Sequence, residues 1–315
     1  NCARRPRLGR DCTKKRENGT GRHSMKAAEF DYVRATSLDE VCRLLADAGD
    51  QERKIIAGGQ TLVPLMAMRM ARPDMLIDIG DLAELVGIDD RGDAIAIRAG
   101  TRQRAIERSD LVSERLPLLA KAVRNVGHQQ TRNRGTIGGS LVHGDPSAEL
   151  AMACLALDAV LVMRNASGET EMPIDGFFEA SMVTNIAPDQ ILTEIRIPVW
   201  AGRRIGTAFH ETASRQGDFA IVAAAAQIEL ADDGSVSRAA LSAGGVAPAP
   251  VKLHAVEAAL AGKRPDGPAV DAAIAGLDDE IDPETDVHAT ADYRRRVAHR
   301  LVSRAIADAA MEAGR

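Results

Sequence analysis

Residues 55–66 read IIAGGQTLVPLM, and residues 132–150 read RNRGTIGGSLVHGDPSAEL. Each passage puts a glycine pair beside a hydroxyl residue within an apolar run. Glycine takes backbone angles that let consecutive N–H groups point into one concavity, where they can meet an anion. Gly58 and Gly59 with Thr61 form one such candidate, and Gly138, Gly139 and Ser140 a second. In the first, a helix N-terminus would add partial positive charge. Two facing turns could hold a pyrophosphate from both sides. The same glycines also suit plain tight turns.

The flanking pattern gives the first passage a structural place. RKIIAGG (53–59) reads as a short buried strand, TLVPLMAMRMA (61–71) as a helix with Pro64 in its first turn, and DMLIDIG (74–80) as the next strand. Before them, TSLDEVCRLLADAG (37–50) has helical apolar spacing, a Thr36 or Ser37 cap and a closing Gly49. The turn therefore falls at the C-terminal end of a strand, where α/β sheets place ligands.

Farther on, residues 93–100 alternate as a strand. Residues 102–127 read as helix broken near Pro117. GTIGGSLVHG (135–144) reads as a strand with internal glycines, and Asp145–Pro146 as the cap and first residue of a helix over 147–156. A hairpin around 165–168, a strand at 190–199, and helices at 251–261 and 291–313 complete the reading. Composition shifts near Trp200–Arg204, which divides the chain into residues 25–202, with subdomains 25–80 and 81–202, and residues 203–315.

Residues 1–24 differ from the rest. They carry eight Lys/Arg against two Asp/Glu and few large apolar residues. They read as a basic, disordered extension, or else as a nucleic-acid arm. Their surplus of six positive charges leaves −11 on residues 25–315, against −5 for the whole chain. That acidic body argues against nucleic-acid binding. The four cysteines, Cys2, Cys12, Cys42 and Cys154, form no C-x-x-C pair. No disulfide frame, zinc site or iron–sulfur cluster is expected in this chain. No apolar run reaches the ~18 residues of a transmembrane helix. Neither G-x-x-x-x-G-K-[ST] nor G-x-G-x-x-G after a strand occurs, so the common nucleotide folds are disfavoured.

Taken together, FDYVRATSLDEVCRLLADAG, KIIAGGQTLVPLM, RNRGTIGGSLVHGDPSAEL and RQGDFAIVAAAA resemble the FAD-binding medium subunit of molybdenum hydroxylases. That family includes aerobic carbon monoxide dehydrogenase, xanthine dehydrogenase and bacterial N-heteroaromatic hydroxylases. The resemblance runs in order from about residue 29 to residue 313.

It implies an α+β chain: a two-subdomain FAD-binding domain of the vanillyl-alcohol-oxidase (PCMH) type, then a C-terminal α+β domain. By matching motif, Ala57, Gly58, Gly59, Gln60, Thr61 and Leu62 would wrap the FAD pyrophosphate with Thr136, Gly139 and Ser140. Asn133 and Gly135 would shape the second turn, Asp145 would reach toward the ribose or diphosphate, and Ile191 and Leu192 would border adenine or flavin. Phe219 stands where some members carry a Tyr against the flavin ring, and it can cover the ring without a hydroxyl to bond.

The resemblance also implies partners: a large subunit with the molybdenum cofactor and a small one with two [2Fe–2S] clusters, commonly as a dimer of heterotrimers. The cysteine usage reads as a reducing compartment, and the expected location is cytoplasmic or peripheral at the inner membrane face. Electrons would pass from the clusters through FAD to an external acceptor. A stand-alone FAD oxidase or reductase of the same fold is one alternative, and a nucleotide-binding or scaffold subunit that has lost flavin is another, against which the intact glycine motifs speak.

Other candidates have plainer readings beside functional ones. His143, inside the second passage, is a cofactor-binding and proton-shuttle candidate, and His128 and His210 are proton-shuttle candidates, although a lone His near a turn is commonly a surface or cap residue. Lys54 suits either a strand edge or a phosphate. The Arg-rich run 293–305 fits the solvated face of an amphipathic helix. No nucleophile–base set is evident.

Overall fold

The computed structural model describes residues 26–315. The basic extension 1–24, with Cys2 and Cys12, lies outside the described residues.

The first unit is a small three-stranded parallel sheet in the order β1-β3-β2. Its elements are β1 (Asp31–Arg34), α1 (Leu38–Ala46), β2 (Arg53–Ile56), α2 (Leu62–Ala67) and β3 (Met75–Asp78). Helix α1 forms because its apolar residues fall on one stripe, burying Leu38, Val41, Cys42 and Leu45. Its N-terminus is closed from both directions. Ser37 Oγ accepts from Glu40 N, and the Glu40 carboxylate accepts from Thr36 N and Oγ1, both at 2.7 Å. Helix α2 is shorter than the expected 61–71, because Arg69 takes a left-handed φ of 60° just beyond it. Since β2 and β3 are parallel, Ala57–Thr61 and Gly80 emerge at the same edge of the sheet.

The second unit comprises β4 (Ile88–Asp90), β5 (Ala94–Arg98), α3 (Gln103–Glu107), α4 (Asp110–Arg115), α5 (Pro117–Val123), α6 (Gln129–Arg134), α7 (Ile137–His143) and α8 (Glu149–Ala156). It continues with β6 (Val160–Asn165), β7 (Gly168–Pro173), β8 (Phe178–Ala180), β9 (Val183–Thr184) and β10 (Ile191–Pro198). Five of its strands form an antiparallel sheet, β4-β5-β10-β6-β7. Pro117 is the first residue of α5, where its missing N–H costs nothing.

Two expectations are corrected in this unit. Residues 135–144 are not a strand. Thr136 Oγ1 accepts from Gly139 N at 3.1 Å and caps α7, which ends at the left-handed Gly144. Asp145 and Pro146 do not open α8 either. Asp145 Oδ1 is engaged by Ser147 N at 2.8 Å, and the helix begins at Glu149.

The third unit holds β11 (Ile205–Ala213), β12 (Ala220–Leu230), β13 (Val236–Gly244), β14 (Val251–Lys252), α9 (His254–Leu260), α10 (Gly267–Ile274) and α11 (Ala291–Ala313). Residues 251–252, expected to be helical, pair with β13 instead. Its four strands form an antiparallel sheet, with α11 laid across β11 and β12. The Arg-rich run lies on α11, whose Ala298, Val302, Ala305 and Ile306 are buried. The Arg238 guanidinium stacks 4.1 Å over the Trp200 ring and ties the interdomain linker to the third unit. The second and third units join where Ser242 Oγ donates to Met152 O and Gly245 N to Pro146 O, at 2.8 and 3.0 Å.

Candidate functional site

The two glycine passages are 80 residues apart in sequence and touch in space. A Cβ on Gly58 would fall inside the Arg134 carbonyl oxygen and 2.9 Å from Gly135 Cα. The close approach of these two backbones is therefore what requires glycine at 58. Gly59 meets a different need, a left-handed φ of 70°.

The turn they make leaves its donors open. Among the described residues, the amides of Gly58, Gly59, Gln60 and Thr61 donate to no protein acceptor. Thr61 Oγ1 makes no cap bond, and Gln60 Nε2 reaches Gly58 O at 3.4 Å. Four adjacent free amides in a partly buried turn fit an anion with several oxygens.

The second passage works differently from the symmetrical cradle read in the sequence. Its amides are already used. Gly138 N donates to Ala99 O, Gly139 N to Thr136 Oγ1 and Ser140 N to Thr136 O. Gly138 is glycine because α7 presses onto β5: a Cβ there would sit 2.6 Å from Ala99 Cβ. Gly139 is exposed and Ser140 half-buried, whereas Thr136 is 3% exposed. This passage offers surface and hydroxyls rather than a row of N–H groups.

The remaining candidates fall in several places. Ala57 and Leu62 flank the first turn and are half-buried. Asn133 is exposed on α6. Gly135 is buried over Gln103, whose Oε1 would lie 2.6 Å from a Cβ there. His143 ends α7, and Asp145 follows in the next turn, both half-buried. Ile191 packs in the core of the first unit and Leu192 in that of the second, so β10 seals the seam between them. Lys54 lies on β2 and is exposed, 3.5 Å from Glu52 Oε1.

Phe219 is 70% exposed. Two residues earlier, Gly217 passes so close to the His128 ring that a Cβ would lie 2.6 Å from Nδ1. His128 precedes α6, so the Phe219 loop lies beside the helix that leads into the second glycine passage. His210 stands apart from the passages, on β11, with Nε2 2.8 Å from Asp308 Oδ2.

Arg102 and Arg134 escaped the sequence reading. Arg102 Nη1 donates to the Arg134 carbonyl, the same oxygen that meets Gly58. Burial, and then the neighbouring Arg134 charge, push its pKa below the ordinary guanidinium value. The only signals were an Arg just past the end of a strand, in AGTRQR, and another flanking the second turn.

Among the described residues, no group of three or more His, Cys, Asp or Glu side chains could hold a metal. Cys154 is fully buried, and burial pushes its thiol up to about 12.

Known proteins resemble this chain over most of its length. Residues 28–200 match the family model described as the FAD binding domain in molybdopterin dehydrogenase, and residues 207–309 match the CO dehydrogenase flavoprotein C-terminal domain. The 6-hydroxypseudooxynicotine dehydrogenase complex subunit alpha of Paenarthrobacter nicotinovorans is 39% identical, over 90% of this chain and 96% of its own. The carbon monoxide dehydrogenase structure from Hydrogenophaga pseudoflava superposes with a TM-score of 0.88 at 35% identity, over 91% of this chain and 99% of that one. Quinoline 2-oxidoreductase from Pseudomonas putida 86 gives 0.86 at 31% identity, over 91% and 99%.

Proposed function

This chain belongs to the family of FAD-binding subunits of molybdopterin dehydrogenases, and from that membership we propose how its residues serve electron transfer. It is an FAD subunit of the molybdenum hydroxylase type, an oxidoreductase component. Bound FAD supplies a redox centre able to exchange electrons singly or in pairs. The chain's own work is to bind, orient and shield that group.

The observation that supports the assignment of residues is the row of free amides at Gly58–Thr61, set against the second passage. These amides, with the Thr61 hydroxyl, would take the diphosphate. Ala57, Gln60 and Leu62 hold the turn's shape. Gly139 and Ser140 line the opposite wall, with the capping Thr136 beneath and Asn133 and Gly135 shaping the turn. Asp145 and His143 stand at the far end of α7, toward the ribose. Ile191 and Leu192, which close the seam behind, support the pocket rather than line it. Lys54 adds an exposed positive charge on β2. The exposed Phe219 would lie over the flavin ring, excluding water without donating a hydrogen bond.

The partners would be a large subunit carrying the molybdenum cofactor and a small one carrying two [2Fe–2S] clusters, assembled as a dimer of heterotrimers. No helix among the described residues is long and apolar enough to cross a membrane. A cytoplasmic location, peripheral to the membrane at most, belongs to the same proposal.

Co-expression with candidate large and small subunits tests the assembly. The expected result is a co-eluting complex in which substrate bleaches the flavin, while the isolated chain's flavin stays oxidised. Substrate bleaching of the isolated chain would favour the stand-alone enzyme instead. In the complex, Phe219→Ala should increase quenching of flavin fluorescence by iodide. Unchanged quenching would remove Phe219 from the ring.

A further inference from the structure

Three backbone segments converge on one side chain. Arg102 Nη1 donates to Arg134 O, which abuts Gly58. Arg102 Nη2 lies 3.8 Å from where a Cβ on Gly80 would be. The main chain on either side of Arg102 is bonded to the second passage: Gln103 N donates to Gly135 O at 2.9 Å and Ile137 N to Thr101 O at 3.1 Å. The guanidinium therefore sits at the meeting point of the first unit's sheet edge and the turn before α7.

Its charge has no ion pair there, and Asp78 and Asp81 attract it only from beyond ion-pair distance. Among the described residues, neither Arg102 nor Arg134 is within ion-pair distance of a carboxylate. The nearest acidic groups are otherwise engaged. Asp78 accepts from Gly80 N at 2.8 Å and from the Tyr32 hydroxyl, and Asp81 pairs with Arg34 at 3.0 Å. The two guanidinium groups repel each other; Arg102 is half-buried and Arg134 is exposed. A fold tolerates that arrangement where an anion neutralises it. Four free amides open at the same seam.

We propose that Arg102 joins the two glycine turns into one diphosphate site. Its guanidinium holds the Arg134 carbonyl against Gly58, and its charge, with that of Arg134, meets the diphosphate. The inference rests on the FAD reading above and deepens it. It makes the chain selective for the diphosphate half of the dinucleotide. Riboflavin, which lacks phosphate, gains nothing from Arg102. ADP, which has the diphosphate but no flavin, gains most of it.

The test uses the full chain stripped of flavin, titrated calorimetrically with FAD, ADP and riboflavin at low and high salt. Arg102→Gln should weaken FAD and ADP by about 30-fold, the scale of a lost charge-assisted hydrogen bond. Riboflavin affinity should be unchanged. The salt dependence of ADP binding should flatten, since an ionic contact is gone. Arg102→Lys should recover part of the loss by restoring the charge, and Arg134→Gln should lose about 5-fold.

Wild-type ADP affinity in Arg102→Gln would overturn the proposal. So would an equal loss for FAD, ADP and riboflavin, which would make Arg102 a purely structural clasp. If Arg102→Gln does not fold, Arg102→Lys and Arg134→Gln decide it, and full ADP affinity in both overturns it. A wild-type chain that binds neither FAD nor ADP would instead defeat the FAD reading itself.

Discussion

Gly58→Ala is expected to give a folded protein whose FAD affinity falls by at least about 100-fold. The added methyl would overlap the Arg134 carbonyl and crowd Gly135 Cα at 2.9 Å, and both are backbone atoms that cannot swing aside. The two turns must separate, and the stability cost of such overpacking is ~1–3 kcal/mol. Binding suffers more, because a diphosphate site depends on the spacing of its two walls. Gly59→Ala is the control. There the nearest atom is a side-chain methyl, Val63 Cγ2 at 3.2 Å, and the penalty is the left-handed φ, about 1 kcal/mol. It should reduce stability while leaving the seam closed, with a smaller loss of affinity. Fluorescence titration of the stripped variants with FAD separates the two. Equal affinity in Gly58→Ala and wild type would mean that the turns do not act together.

The second large effect concerns pH. Glu149, the first residue of α8, is 7% exposed, and burial pushes its carboxyl up to about 8. Glu211 and Asp145 add to the rise, while its own backbone amide and Arg132 oppose it. Arg132 is largely committed to Glu107, 2.9 Å from its Nε. Burial also raises Glu211 to about 6, and its Oε2 has no partner among the described residues.

A carboxyl whose folded pKa is raised stabilises the fold below its unfolded value, near 4.5, and that contribution is lost as pH rises through about 8. At ~1.4 kcal/mol per unit, the loss is on the order of several kcal/mol between pH 5 and pH 9. Helix α8 packs against β13, Ser242 and Gly245 bond across the junction to Met152 and Pro146, and Glu149 feels the charge of Glu211 on β11, so this titration acts at the junction of the second and third units. Glu149→Gln keeps the shape and removes the proton equilibrium. Its melting temperature should change less between pH 5 and pH 9 than that of wild type, and should exceed it at pH 9. Parallel curves for the two proteins would contradict the assignment.

The residues explain which parts of this structure were legible in sequence. Helix α1 announced itself through a Thr36 or Ser37 cap, acidic residues in the first turn and the helical spacing of Val41, Leu44 and Leu45, and α11 matched its expected span from 291 to 313. These are local rules, satisfied locally. The segment 135–144 was misread because paired glycines disfavour helix in isolation. In the fold, Thr136 caps the helix, and Gly138 is needed so that α7 can lie on Ala99. Tertiary contact overrode propensity.

Part of the site was hidden for a related reason. The free amides at Gly58–Thr61 follow from a readable strand–turn pattern. The satisfied amides of the second passage do not, since their acceptors include Ala99 O, distant in sequence. Arg102 lies 32 residues before Arg134, and nothing local joins them. The burial of Glu149 likewise comes from packing between units, which a single helix pattern does not carry.

The central claim is that the seam between the two glycine passages holds FAD. The direct measurement is an absorption and fluorescence titration of the purified, flavin-stripped full chain with FAD. The account predicts saturable binding of one FAD per chain, with a resolved visible flavin band, and competition by ADP. A chain that stays colourless at every FAD concentration while remaining folded would make both turns structural and contradict the account.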